Sequence, residues 1–147
     1  MNEMKQIVLS LVVAVTFAFA ADAGNRPISY SDLPAAARTF LESNFPGKDV
    51  AYAAVDDDLV RPDYMIAFKD GMKIQFEHSG RLEKIESGSS LIPERIIPVQ
   101  ICDYVRTHYP DAKVTEYEVG RRDYDIKLSN RMELKFNRHF SLVEIDD

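Results

Sequence analysis

Two stretches of the chain place apolar residues at helical spacing. The first stretch has them at Leu33, Ala37, Phe40, Leu41 and Phe45. The second has them at Ile97, Ile101, Tyr104, Val105 and Tyr109. Steps of three and four keep such residues on one stripe of a helix. The pattern predicts two amphipathic helices, the first capped by Ser31 or Asp32. Pro46 and Pro110 stop them, because proline cannot continue a helix.

After each helix the apolar period changes to two, which is typical of β-strands. Inward positions in the first half are Tyr64, Ile66, Phe68, Met72, Ile74 and Phe76. Flanking strands are predicted at 49–55 and 81–86, and at 113–119 and 141–146 in the second half. Asp70-Gly71 predicts a two-residue hairpin turn with positive φ at both positions. Leu82 and Ile85 differ in parity, which indicates a β-bulge in the fourth strand.

The two halves of the chain repeat one another. An offset of 64 aligns the helices, and four extra residues near Asp57 to Val60 change the offset to 60 for the strands. Eight identities follow at that offset, in which Arg61, Asp63, Tyr64, Ile66, Met72, Phe76, Leu82 and Ile85 match Arg121, Asp123, Tyr124, Ile126, Met132, Phe136, Leu142 and Ile145. We therefore predict an α+β fold built from two tandem helix-plus-four-strand repeats, at about 28–87 and 89–147. They form one antiparallel sheet of up to eight strands, with both helices on one face. Because a unit of about 60 residues is marginal alone, 24–147 is one domain.

The first 23 residues predict a signal peptide. Lys5 precedes an apolar run from Ile7 to Ala20, and small residues suited to cleavage follow at Ala18-Phe19-Ala20 and Ala21-Asp22-Ala23. The run is short for a membrane span, which needs about 20 apolar residues, so an uncleaved anchor is disfavoured. We expect a periplasmic or secreted protein that makes no membrane contact after cleavage.

Composition excludes some partners and bonds. A net charge of −6 and a pI near 5.1 argue against a nucleic-acid partner, because such partners require clustered basic residues. Cys102 is the single cysteine, so no intramolecular disulfide can form. We expect an inert thiol there, although Arg106 four residues on could lower its pKa weakly. Intermolecular pairing remains the alternative.

Four sequence motifs carry a family resemblance. Leu-Pro-Ala-Ala begins at Leu33, Phe-Pro-Gly-Lys-Asp-Val at Phe45, Tyr-x-Ile at Tyr64 and Met-x-Ile-x-Phe at Met72. Together they resemble the PepSY-like, β-lactamase-inhibitor-protein-like family of small periplasmic proteins. The resemblance implies a non-enzymatic periplasmic module that binds or restrains another protein. It carries over no catalytic residues.

The sequence gives little support for a metal or cofactor site. Asp56, Asp57, Asp58 and Asp63 offer carboxylates for calcium, but the alternating ligands, the glycine and the distal glutamate of a calcium loop are missing. We interpret the segment as a solvated acidic loop. The histidines at 78, 108 and 139 are expected at the surface. The sequence therefore predicts no metal and no cofactor.

The polar strand positions are the predicted binding surface. They would line the open face of the sheet, joined by two residues of the acidic loop: Met65, Lys73, Gln75, Glu77, Asp125, Lys127, Glu133, Lys135, Asp57 and Asp58. Charged residues of alternating sign are also common on the solvent-exposed face of an antiparallel sheet that binds nothing, which is the alternative interpretation.

We expect a non-enzymatic module that engages an envelope protein through this face and the edge loops, without the sequence naming that partner. A small-ligand carrier is the alternative and would need a pocket between helices and sheet. An envelope enzyme is disfavoured because no nucleophile, metal set or phosphate loop can be assembled.

Overall fold

A computed structural model describes residues 25–58 and 60–147. The predicted signal peptide at 1–23 lies outside the described residues. Within them the chain has an α+β fold with two helices and a nine-stranded antiparallel sheet. Neither described helix is long and apolar enough to cross a membrane.

The strands pair in the order in which they occur along the chain. The helices are α1 (Ala35–Asn44) and α2 (Val99–His108). The strands are β1 (Asn25–Ile28), β2 (Val50–Asp56), β3 (Asp63–Phe68), β4 (Lys73–Phe76), β5 (Leu82–Glu86), β6 (Val114–Val119), β7 (Asp123–Leu128), β8 (Glu133–Asn137) and β9 (Leu142–Asp146). Each strand lies beside its chain neighbours, so β1 and β9 are the two edges of the described sheet.

The prediction of at most eight strands was wrong, because β1 adds a ninth. Its sequence Asn-Arg-Pro-Ile shows no alternation of apolar and polar residues, and a proline argues against a central strand. As an edge strand, however, β1 can accommodate Pro27. Ile28 pairs with Ala53 of β2, which extends the apolar side of the sheet by one residue.

The predicted cap of the first helix was also wrong. Pro34 and Pro98 occupy the N-cap positions of α1 and α2, and neither has a capping side chain. Asp32 instead accepts a hydrogen bond from the amide of Ser29 at 3.0 Å, in the 3₁₀ turn that precedes α1. Proline fixes its own φ, which brings the chain into each helix without a polar cap.

The turn at Asp70-Gly71 is longer than the predicted two-residue hairpin. The amide of Gly71 donates to Phe68 O at 3.0 Å, and the amide of Phe68 donates to Met72 O at 2.8 Å. Of the two central residues only Gly71 has positive φ, at 95°. Asp70 accepts the amide of Met72 at 3.0 Å, so its carboxylate closes the turn.

One row of directly paired apolar residues crosses the whole sheet. It runs, from β1 to β9, through Ile28, Ala53, Ile66, Ile74, Ile85, Tyr117, Ile126, Leu134 and Ile145. The core is built on this row. α1 contacts β4 through the rings of Phe40 and Phe76, and α2 contacts β8 through those of Tyr104 and Phe136.

The predicted bulge in the fourth strand of the first half is confirmed. Gln75 pairs with Lys84, whereas its neighbour Phe76 pairs with Leu82, so Glu83 is the extra residue. This restores Leu82 and Ile85 to the same side of the sheet despite their different parity. The register of β8 and β9 shifts in the same way, at Lys135 and Phe136.

Candidate functional site

The side of the sheet opposite the apolar row carries most of the predicted binding residues. Successive side chains of a strand point to opposite sides, so the residues next to the apolar row form a second surface. We call it the polar face, defined by two paired rows: Ala54, Met65, Gln75, Lys84, Glu118, Asp125, Lys135 and Glu144, and Tyr52, Ala67, Lys73, Glu86, Glu116, Lys127, Glu133 and Asp146. Seven of the predicted residues lie in these rows: Met65, Lys73, Gln75, Asp125, Lys127, Glu133 and Lys135.

Glu77 lies beyond the end of β4 and is engaged locally. Its carboxylate accepts hydrogen bonds from Arg81 at 3.0 Å and from the Ser79 hydroxyl at 2.8 Å. The Arg81 hydrogen bond, followed by that from Ser79, lowers the pKa of Glu77 to about 2. Glu77 therefore stabilises the turn between β4 and β5.

Asp57 and Asp58 belong to the loop between β2 and β3. Asp57 forms an ion pair with Arg26 of β1 at 2.6 Å, and the amide of Asp58 donates to the carboxylate of Asp56 at 3.1 Å. These contacts order the loop within itself and against β1. Nowhere in the described ranges 25–58 and 60–147 do three or more potential ligand side chains form a metal-binding group.

Lysines of the second half of the polar face are paired with carboxylates. Lys127 contacts Glu133 at 3.3 Å, and Lys135 lies 3.8 Å from Asp125 and 4.0 Å from Glu144. Partly exposed pairs of this kind contribute little stability but neutralise one another. This half of the polar face therefore offers no uncompensated lysine.

A shallow hollow lies in the first half of the polar face. Its volume is about 170 Å³, and its lining consists of Met65, Lys73, Ile74, Gln75, Lys84 and Glu86. Three of these residues, Met65, Lys73 and Gln75, were predicted from the sequence. Lys84 and Glu86 were missed because they lie in the strand whose register depends on the bulge.

The two lysines of this hollow differ in their partners. Lys84 contacts Glu86 at 3.0 Å and Glu116 at 3.7 Å. Lys73 is exposed, and among the described residues no carboxylate oxygen lies within 4.0 Å of its amino group. The hollow thus presents one uncompensated cation, meaning a lysine that forms no ion pair within the described chain although Glu86 lies opposite it in the strand pairing, beside the half-buried thioether of Met65.

Gln75 joins the hollow to a pair of acidic side chains. Its amide nitrogen lies 3.3 Å from Asp63 Oδ2 and 3.3 Å from Glu83 Oε2, and donates to both. Burial, and then the nearby Asp63, raise the pKa of Glu83. The sequence signal for Glu83 was the parity change that predicted the bulge.

Cys102 is half-buried on α2 and is not activated. Its sulfur lies 3.7 Å from Glu94 O and 3.8 Å from Ile97 O. Burial, followed by the charge of Glu94, raises the pKa of the thiol. Arg106 contacts Asp103 at 2.8 Å and Glu94 at 3.2 Å, so its charge is already compensated. The thiolate needed for nucleophilic chemistry is therefore disfavoured.

A groove at the end of each helix provides further concave surface. The groove at the end of α1 has a volume of about 420 Å³ and is lined by Tyr30, Leu41, Glu42, Phe45, Pro46, Gly47, Lys48, Val50 and Phe68. A groove of about 200 Å³ lies at the end of α2, between that helix and the start of β6.

Comparison with known families decides the classification. A family model described as "Putative beta-lactamase-inhibitor-like, PepSY-like" matches residues 62–144. The chain belongs to this PepSY-like family. The resemblance stated from the sequence motifs is therefore confirmed. A comparison with curated proteins gave no match.

Solved structures of similar proteins share the fold. A "putative calcium-regulated periplasmic protein" from Bacteroides thetaiotaomicron is 38% identical, with a TM-score of 0.81 over 84% of this chain and 97% of that chain. A "putative periplasmic protein" from Bacteroides vulgatus is 36% identical, with a TM-score of 0.80 over 86% of this chain and 99% of that one. A second protein from that organism, of unknown function, is 26% identical, with a TM-score of 0.78 over 84% and 100%. These relatives confirm the predicted periplasmic location.

Proposed function

We propose that the chain is a non-enzymatic periplasmic binding module, and that an envelope protein docks on the hollow around Met65 and Lys73. The observation that carries the proposal is the difference between Lys73 and its neighbours. Lys84, Lys127 and Lys135 are paired with carboxylates, whereas Lys73 is exposed and uncompensated.

The chemistry of the hollow indicates what the partner presents. Methionine is flexible and adapts to irregular apolar surfaces, and it is enriched at interfaces. An uncompensated lysine attracts a carboxylate and speeds encounter with an acidic surface. The complementary partner has an apolar side chain for Met65 and a carboxylate for Lys73.

We also infer that residues 28–87 and 89–147 are copies of one unit whose helices cover the same face of the sheet. Supporting this, the pairing of β3 with β4 matches that of β7 with β8 at the offset of 60, residue for residue. Met65 corresponds to Asp125 and Lys73 to Glu133. The hollow's chemistry thus belongs to the first copy alone.

Capture by immobilised protein tests the proposal. The mature chain is coupled to a support, and bound envelope proteins are identified and quantified by mass spectrometry. Lys73→Ala should reduce capture of a specific partner at least about fivefold, a change of about 1 kcal/mol in binding free energy. Lys135→Ala is the matched control, since this lysine lies on the same face but is already paired with Asp125 and Glu144.

Both variants must first melt like the parent protein, because each removes a solvent-facing side chain. If Lys73→Ala and Lys135→Ala both leave capture unchanged, the polar face serves only as solvated cover. Capture is run with calcium and with chelator, because one relative is described as calcium-regulated. Dependence on Lys73 in both conditions supports the proposal independently of calcium.

A small-ligand carrier is the second candidate, favoured by the groove at the end of α1. Its volume of about 420 Å³ falls in the range of ligand pockets, and Leu41, Phe45 and Phe68 supply apolar walls. Native mass spectrometry of protein purified without denaturant should then show a bound small molecule. Leu41→Phe should fill part of the groove and reduce that adduct, and an adduct unaffected by this change would place the ligand elsewhere.

A further inference from the structure

The backbone of β9 leaves Ile145 turned toward an open edge. The amide of Leu128 donates to Met132 O at 2.9 Å, so Met132 and every second residue after it on β8 face β7. Lys135 therefore faces β9, where it pairs with Glu144. Because the direction alternates along a strand, the amide and carbonyl of Ile145 point away from the sheet. Val143 is the extra residue of the bulge in β9, where this alternation is interrupted.

Ile145 and the nearby Val143 expose apolar side chains. Val143 and Ile145 are 57% and 45% exposed. Ile85 occupies the position of Ile145 in the first half, at the offset of 60, and is 0% exposed. The neighbouring strand explains the difference: Ile85 pairs with Tyr117 of β6, whereas β9 has no further strand in the described sheet. β9 therefore corresponds to β5, but in the described sheet no strand lies beside it where β6 lies beside β5.

The opposite edge of the sheet is protected. β1 is only four residues long and contains Pro27, which has no amide hydrogen to donate. Arg26 of the same strand is held by Asp57. Short length, proline and charge are the usual means by which proteins block edge pairing. β9 carries charge at Glu144 and Asp146 and a bulge at Val143, but it has no proline, and the outward amide of Ile145 is left unblocked.

A second copy of this chain fits the β9 edge poorly. Two β9 strands paired antiparallel would bring Glu144 and Asp146 of one copy against those of the other, and like charges in register are destabilising. Head-to-tail pairing would need β2, the counterpart of β6, as the incoming strand. β2 is already paired with β1, which blocks that arrangement.

We propose that β9 binds an extended segment of a partner protein as a tenth strand of the sheet. The pairing of β5 with β6 defines the expected register, in which Tyr117 lies opposite Ile85 and Glu118 opposite Lys84. Lys84 corresponds to Glu144 in β9, so the charge is inverted. The incoming strand therefore carries an aromatic or apolar residue opposite Ile145 and a lysine or arginine opposite Glu144. This surface is distinct from the hollow around Lys73.

Two short peptides test the proposal directly. The first is the β6 sequence with both glutamates changed to lysine, Val-Thr-Lys-Tyr-Lys-Val, and the second is the unchanged Val-Thr-Glu-Tyr-Glu-Val. Fluorescence anisotropy of labelled, end-blocked peptides measures their affinity for the mature chain. The lysine peptide should bind at least about tenfold more tightly. Glu144→Lys should remove most of this preference, because it restores the charge found at Lys84 while Asp146 still faces the second changed position.

Ile145→Pro removes the outward amide hydrogen without breaking a bond to β8, and edge strands tolerate proline at such positions. It should weaken binding of the lysine peptide at least about tenfold while the melting temperature stays within a few degrees. Ile145→Ala keeps the amide hydrogen and should therefore weaken binding of the lysine peptide less than Ile145→Pro does. Lys73→Ala should leave peptide binding unchanged, which separates this surface from the proposed partner site.

Three results would overturn the proposal. They are no binding of the lysine peptide at millimolar concentration, equal affinity for both peptides, or unchanged affinity in the Glu144→Lys variant. A concentration-dependent dimer in sedimentation that Ile145→Pro abolishes would identify a second copy as the occupant instead.

Discussion

The ring of Phe40 on α1 meets the ring of Phe76 on β4 edge-on, with centroids 5.7 Å apart and planes at 78°. Tyr104 on α2 and Phe136 on β8 have nearly the same geometry, at 5.4 Å and 81°. Edge-to-face pairs of this kind add to the free energy of burial alone. Each helix is thus joined to the sheet by an aromatic pair at its centre.

Truncating either strand partner should be severely destabilising. Phe76 and Phe136 are 0% and 1% exposed, so Phe76→Ala or Phe136→Ala leaves a cavity beneath a helix. Each should reduce the free energy of unfolding by about 3–5 kcal/mol, measured by urea denaturation. Lys73→Ala and Lys135→Ala should each change it by no more than about 0.5 kcal/mol. Harmless phenylalanine changes would contradict this account of the core.

The two halves should unfold together. β5 and β6 pair Ile85 with Tyr117, so the sheet and its apolar row continue without a break from one half to the other. A half of about 60 residues buries only about 60% of its extended-chain surface and is marginal alone. Calorimetry of the mature chain should give one transition with equal calorimetric and van't Hoff enthalpies. Two resolved transitions would show that the halves are independent.

Sequence periodicity was sufficient to predict the strands that bury one side against the core. The alternation through β3 and β4, and the parity change between Leu82 and Ile85, predicted the strands and the bulge between them. β1 could not be found in this way, because Asn-Arg-Pro-Ile has a single large apolar side chain. Its strand conformation comes from pairing with β2, which is a tertiary contact.

The candidate site was predictable only in part. Alternation placed Met65, Lys73 and Gln75 on one face, since parity alone decides that. Which lysine remains uncompensated depends on the neighbouring strand. Lys84 reaches Glu116 only because β5 lies beside β6, and that register cannot be read from either strand alone.

Arg131 should be replaceable by glycine with a gain in stability. It has φ of 73° in the turn between β7 and β8, where the matching residue of the first half is Gly71 with φ of 95°. Left-handed φ costs a residue with a side chain about 1–2 kcal/mol, partly offset by the greater freedom of glycine when unfolded. Arg131→Gly should raise the free energy of unfolding by about 0.5–1 kcal/mol.

Two controls isolate the backbone effect at this turn. Arg131→Lys keeps the charge and the Cβ, and should be neutral. Gly71→Ala should be destabilising by about 1 kcal/mol, although the added Cβ would only touch Gly88 Cα at 3.7 Å, an ordinary contact. Stability that does not respond to Arg131→Gly would mean that the turn relaxes to avoid the strain.

The fold should not depend on a metal ion. Asp57 is paired with Arg26, and Asp56 accepts the amide of Asp58, so these carboxylates are engaged by the chain itself. A ligand that binds only the folded state raises the melting temperature. Because we expect no such metal, adding chelator or adding calcium should each change the melting temperature by no more than about 1 °C. A rise of several degrees with calcium would contradict this prediction and indicate a site in the described chain.

The Lys48–Asp70 ion pair should make stability depend on acidic pH. The Lys48 hydrogen bond, followed by the Met72 amide, lowers the pKa of Asp70 from 3.8 to about 2. A carboxyl with a depressed folded pKa contributes stability above its unfolded pKa. That contribution is complete above about pH 5 and is lost as the pH falls from about 4 toward 2.

Asp70→Asn removes the charge but can retain the hydrogen bond to Met72, as Asn130 does with Met132 at 3.0 Å in the second half. It should lower the free energy of unfolding at pH 7 by about 1–2 kcal/mol, allowing for solvent screening of a partly exposed pair. It should also flatten the stability profile between about pH 4 and 2. Lys48→Gln should cause a similar loss, and the double variant should cost less than the sum of the two. Additive losses, or an unchanged pH profile, would show that the pair contributes nothing to stability.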